Sequence, residues 1–438
     1  MSFRNPSPPH GLDGNFQNVD NIGDTAYSKR WLFTLVMDVM KLLSEERDNP
    51  DTSPKELDKD IEKKMCCLWD LTINHDIIPY LEEFDIVTVF TDCLTCHRYP
   101  RLLEISSGIL ANLAYEPKAC QKMCDNENFV NRVINLFYCR DTPTLTEVCR
   151  LVQTVLASDK LSAIWIDAIR FQADFIENLL FILTSSTNGH LLIAVIRLLD
   201  AITREDDSLA EIWCGSELLK ALLVAQHQMK WVQGNEVEII HRLLYTFSSN
   251  VTGVTALMNS FDELLPTFGV YLRKVCEDEP HLIPFPSYYN SLRAIIPVID
   301  AVLASTTPPE GLSCFASDET VLPNLIYVAL GCQQQVNDNP LVRGILADLN
   351  VLFKDLVKST DETLQVLMSS TDDLDKLDAN FVKNLQWIRD LEKSESTTLR
   401  EAFATCCLND GENETRSQLI RTCNRLKLPL LMETVTDD

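Results

Sequence analysis

In the stretch DCLTCH (Asp92–His97), Cys93, Cys96 and His97 stand at CxxCH spacing. That is the spacing of c-type haem attachment and of half a zinc site. Haem attachment needs an export route, and zinc needs four ligands, usually from a second CxxC or HxxxH pair. The nearest complement is CQKMC, whose Cys120 and Cys124 stand at i, i+4 on one face of a helix. Adjacent repeats of a helical array could bring the two sets together. The competing and favoured reading is two core cysteines followed by a helix-terminal histidine, because reduced buried cysteine behaves as a small hydrophobe. No metal or other cofactor is therefore expected.

Other chemistry is sparse. The seven histidines form no HxxxH or HExxH, and the chain holds no GxSxG, GxxxxGK[ST] or GxGxxG. The acidic stretches TREDDSLAE and TDDLDKLD read as helix starts, where carboxylates and hydroxyls cap free amides. No base is paired with a nucleophile, so the chain reads as a non-enzyme.

The elements that carry these residues are almost all helical. From about Asp60 onward an apolar helix, a short polar break and another apolar helix recur, with few strand signals. Seven segments align on one apolar anchor: Leu71, Leu113, Leu156, Ile202, Phe247, Leu303 and Leu352. The steps are 42, 43, 46, 45, 56 and 49 residues, the first four close to armadillo and HEAT periods. The last two are stretched by loop-like segments at Cys276–Asn290 and Ser305–Phe315. The pattern predicts an all-α, armadillo/HEAT-like, right-handed superhelical solenoid. Residues 1–25 are expected as a disordered tail, 26–60 as an N-terminal capping helix and charged linker, 61–395 as repeats, and 396–438 as C-terminal capping helices and acidic tail.

The charge is −26, from 38 Lys+Arg against 64 Asp+Glu. Such an excess disfavours nucleic acid, which needs cationic surface, and anionic membrane. It permits a basic protein partner, although acidity also serves solubility alone. No secretory signal and no membrane span are read, so the 15 cysteines are expected as free thiols and the sequons at Asn250 and Asn413 as unused.

Two features point to partner binding. YSKRWLF sets Lys29 and Arg30 beside Tyr27 and Trp31, as a cap on the stack or as a recognition element. Asn112, just before its anchor, matches the asparagine with which import adaptors of this fold hold an extended peptide. Its counterparts in the other segments are Asp70, Val155, Ala201, Thr246, Val302 and Val351, and Gly108 stands where those adaptors carry tryptophan. The ladder is missing, so reading of classical import signals is not expected. Gly108 itself costs roughly 1 kcal/mol against alanine in a helix. It fits either close approach of a neighbouring helix or an open groove.

RNPSPP, YSKRWLF, LWDLT with YLEEFDI, PRLLEISSGILANLA and DTPTLTEVCRLV resemble the serum amyloid A-like (Saal) family. The resemblance implies an intracellular armadillo-type protein, nuclear in vertebrate members and linked to promoting cell proliferation. It brings no catalytic residues. The leading expectation is a protein-binding scaffold with an unidentified partner, nuclear by resemblance or cytoplasmic. The alternatives are a Cys/His metal protein and an acidic adaptor or transport receptor for basic cargo.

Overall fold

Prolines and short polar caps decide where the helices begin. Pro100 and Pro117 open α5 (Pro100–Leu113) and α6 (Pro117–Cys124) at first-turn positions that lack an amide partner anyway. Asp58, Asn126, Asp141 and Asn188 accept first-turn amides of α2 (Lys59–Leu71), α7 (Glu127–Leu136), α8 (Thr142–Leu156) and α11 (Gly189–Glu205). The sequon residue Asn250 does the same for α15 (Val251–Asn259), donated to by the Gly253 amide at 2.7 Å.

These elements are seen in a computed structural model that describes residues 21–48, 53–158, 161–229, 235–277, 279–306, 312, 315, 320–368, 386–393, 397–408 and 413–436. Among them the regular structure is helical. The one β feature is an isolated antiparallel bridge between Asn21 and Ser28. The chain divides into two compact units, residues 1–206 and 207–438, where the sequence suggests one continuous array.

The first unit also contains α1 (Lys29–Asp48), α3 (Ile78–Glu82), α4 (Ile86–Cys93), α9 (Ser162–Arg170) and α10 (Phe175–Ser185). Its four anchor-bearing helices, α2, α5, α8 and α11, pack side by side in that order. Between consecutive anchors lie two shorter helices, not the single one expected, which gives the three-helix unit of an armadillo repeat. α1 lies against α2 and α4.

The second unit starts with α12 (Asp207–Trp213), α13 (Ser216–Gln228) and α14 (Asn235–Ser248). After α15 come α16 (Phe261–Val275), α17 (Phe285–Ser305), α18 (Val321–Gln335) and α19 (Pro340–Met368). The anchor helices α14, α17 and α19 stack in order. α20 (Gln386–Lys393), α21 (Thr397–Leu408), α22 (Asn413–Leu426) and α23 (Pro429–Thr436) close the unit, with α19 packed on α21 and α22. Within each unit the all-α repeat architecture is as expected.

Three boundaries differ from the sequence reading. Ile22 is buried and Thr25 hydroxyl donates to its carbonyl, so residues 21–25 are ordered; the rest of the expected tail lies outside the described residues, as does TDDLDKLD. α17 begins at Phe285, inside the expected loop. The final helix breaks at Lys427, whose φ of 56° is left-handed, because Pro429 favours a new start over continuation.

Candidate functional site

The anchor row of the first unit carries an interlocked set of polar side chains. Gly108 is buried in the middle of α5, and the indole of Trp69 from α2 lies flat on it; a Cβ there would overlap the ring. One turn on, the Asn112 amide nitrogen donates to Thr72 Oγ1 at 2.9 Å and to the Trp69 carbonyl at 3.3 Å. From the other side, Arg150 of α8 donates to Asn112 Oδ1 at 2.7 Å and to the Gly108 carbonyl at 2.9 Å. Asn112 thus joins three consecutive anchor helices. Gln153 carries the row onward, donating to the Ala194 carbonyl of α11 at 2.9 Å.

The two arginines on this face are paired with carboxylates. Arg101 reaches Glu62 at 2.8 Å and Glu104 at 2.7 Å, and donates to Cys66 Sγ at 3.3 Å. Arg150 pairs with Glu147 at 2.6 Å. Burial pushes the Cys66 thiol up despite Arg101 beside it. Arg101 and Arg150 were not singled out in the sequence. A usable signal exists: Arg150, Arg197 and Arg242 recur six, five and five residues before their anchors.

The expected partner-binding residues are placed differently. Asn112 is nearly fully buried with its amide occupied, so it is a cross-link within the stack and not an open peptide ligand. Tyr27 packs on Trp31 with ring centroids 4.6 Å apart, and a Cys67 contact plus burial pushes the Tyr27 hydroxyl up to about 12. Lys29 pairs with Glu83 at 2.7 Å and lies over the Tyr80 ring. These contacts bind α1 to the first repeat, as a cap requires. Arg30 is exposed.

The cysteine set does not assemble. Cys93 and Cys96 are buried at the end of α4 and in the turn after it, and His97 is exposed. Cys120 and Cys124 lie one turn apart on α6, where the Trp165 indole N–H donates to Cys124 Sγ at 3.2 Å. Among the described residues no three His, Cys, Asp or Glu side chains group as metal ligands. Burial holds the Cys93 thiol well above its ordinary value and raises that of Cys96, against the thiolate form a metal needs.

Among the described residues of the second unit, Asp361 and His241 are buried and Asp300 is half-buried. Asp361 of α19 accepts from Arg421 at 2.8 Å and Arg425 at 2.8 Å, both on α22. His241 of α14 is enclosed by the Phe268 and Tyr271 rings, with neither ring nitrogen partnered among the described residues; burial pushes it down to about 3. Asp300 of α17 is pushed up to about 7, first by burial and then by Asp355 and Asp348 of α19.

Fold and site together define an all-α protein of stacked helical repeats. A family model described as the SAAL1 C-terminal domain matches residues 175–423, and the chain belongs to that family. The match lies beyond the segments that carried the resemblance in the sequence, so the likeness reaches both halves. Protein saal1 of Danio rerio is 32% identical over 292 residues, covering 63% of this chain and 62% of its own. Protein SAAL1 of Homo sapiens is 26% identical over 364 residues, covering 76% and 77%. The chain spans less than two thirds of the length of the Danio rerio relative. An engineered protein of solved structure aligns at 15% identity with a TM-score of 0.43, over 92% of this chain and 98% of that one. No helix among the described residues is long and apolar enough to cross a membrane.

Proposed function

We propose that the chain is a non-enzymatic scaffold that binds another protein on the anchor-row face of the first unit. The observation that carries this reading is the Arg150–Asn112–Thr72 bridge across three helices. It holds the face in one arrangement before any partner arrives, which lowers the ordering cost of association. The face also presents half-buried Trp69 and Arg101, residue types that dominate protein interfaces. Three of its carboxylates, Glu62, Glu104 and Glu147, already have arginine partners, which favours a general protein partner over a strongly basic cargo. Family resemblance supports a nuclear site of action and a link to cell proliferation.

Capture of the full chain at near-physiological salt tests the reading, beside a variant carrying Asp70→Arg at an exposed position next to Trp69. A partner recovered near equimolar with the wild type, and lost from a variant of unchanged thermal stability, is expected. A chain that repeatedly comes down alone would overturn the proposal. Imaging of the tagged chain checks the nuclear placement.

A further inference from the structure

α1 buries Leu32, Leu35, Val36 and Val39 against the first repeat, yet its opposite face is also apolar. Phe33, Met37 and Met40 are 53%, 49% and 50% exposed. They stand at i, i+4, i+7, and the arc they share with Arg30, Thr34, Lys41 and Ser44 is about 120° wide at 100° per residue. Every residue of that arc is exposed. The surface extends to a second element, because the Phe84 ring from the α3–α4 turn lies 6.5 Å from that of Phe33. Among the described residues of the first unit, none covers it.

The arc is cationic on an acidic chain. From Arg30 to Ser44 it bears two cations and no carboxylate, on a chain of net charge −26. The acids at its border are engaged: Asp38 with Lys64 at 3.1 Å, and Glu45 loosely with Lys41 at 3.8 Å. Flexible methionines suit a surface that adapts to an incoming apolar ridge. A straight helical stripe with this spacing matches a second helix laid alongside it.

We propose that this arc of α1 docks an amphipathic helix of a partner protein, one with apolar residues at i, i+4, i+7 and carboxylates at its flanks to meet Arg30 and Lys41. The site is separate from the anchor-row face, so each can fail without the other. Overall acidity argues for an acidic helix over an anionic membrane, because most of the surface around the arc would be repelled by the lipid.

Fluorescence anisotropy of the full chain with labelled helical peptides tests it. The probes are a leucine-striped peptide flanked by glutamates, the same stripe flanked by lysines, and a scrambled-stripe control rich in glutamate. The glutamate-flanked peptide is expected to bind best, and more weakly as salt rises. Met37→Glu should weaken it by about tenfold or more at unchanged melting temperature. Arg30→Glu with Lys41→Glu should shift preference towards the lysine-flanked peptide. Equal binding of all three peptides, or no effect of Met37→Glu, overturns the proposal. So does a dimer, seen by sedimentation, that Met37→Glu dissolves, or binding to phosphatidylserine vesicles that the same change abolishes. Should Met37→Glu misfold, Met40→Gln gives the same readout with a milder change.

Discussion

The indole of Trp69 rests on the bare backbone of Gly108, in the place a β-carbon would take. The glycine is therefore the counterpart of a tryptophan reaching across from the neighbouring anchor helix. In an import adaptor the tryptophan would stand at the Gly108 position of α5 itself; here a tryptophan comes from α2.

Gly108→Ala should destabilise the protein by about 1–3 kcal/mol, although alanine is the better helix former. The rigid indole has to move to admit the methyl group. Thermal unfolding measures the loss, and Trp69→Leu in the same chain should recover part of it, a coupling that a double-mutant cycle reads directly. An alanine variant as stable as the wild type would mean that the ring shifts at no cost.

Asn112→Ala should cost about 1–3 kcal/mol, since it removes two donors and the acceptor that holds Arg150. Asn112→Asp should also destabilise, because a carboxylate attracts Arg150 but has no proton to donate to the Trp69 carbonyl. Chemical denaturation checks both. A neutral Asn112→Ala would reopen the reading of Asn112 as a partner ligand.

Asp361→Ala should lower the urea midpoint by an amount equivalent to about 2–4 kcal/mol. The carboxylate is buried and orients two arginines from α22. The loss stays towards the low end for a buried ion pair because Arg421 and Arg425 are partly exposed and can turn to water. Asp361→Asn, which retains acceptor geometry at one oxygen, should lose less.

The second unit contains two opposite pH dependences. His241 has a folded pKa pushed below its unfolded value of about 6.5, so the unfolded chain binds the extra proton and stability falls as pH drops below about 6.5. His241→Phe should therefore stabilise the protein by about 2 kcal/mol more at pH 5 than at pH 8. Asp300 runs the other way: its folded pKa is raised to about 7, so its contribution is fully present below its unfolded value and is lost as pH rises towards 7. Asp300→Asn should raise the melting temperature at pH 8 and leave it nearly unchanged at pH 4. Flat difference curves for both variants would contradict the burial that drives both shifts.

Much of this architecture is legible in the sequence because it depends on period. Leu71, Leu113, Leu156 and Ile202 mark consecutive anchor helices that do pack in order. Apolar residues recurring at helical spacing name the face that must leave water, whatever the neighbours are. The third helix of each repeat was harder to see. α6 and α9 have eight and nine residues, too short for their periodicity to stand out from the polar breaks around them.

The candidate site was less legible. The residue types of Trp69, Gly108, Asn112 and Arg150 are visible, but their contacts join positions about 40 residues apart. Which side chain meets which depends on the rotation and axial offset of each helix in the stack. The same offset keeps Cys93, Cys96, His97, Cys120 and Cys124 from converging, although their spacing alone would permit a ligand set. Sequence by itself determined that helices form, how often they repeat and which faces they bury, because these follow from local propensity and apolar period. Only the tertiary structure decided that Gly108 serves the Trp69 ring and that Asn112 is spent inside the stack. It also decided that α1 turns a Phe33–Met37–Met40 stripe outward, because packing of the opposite face fixes which stripe is left in water.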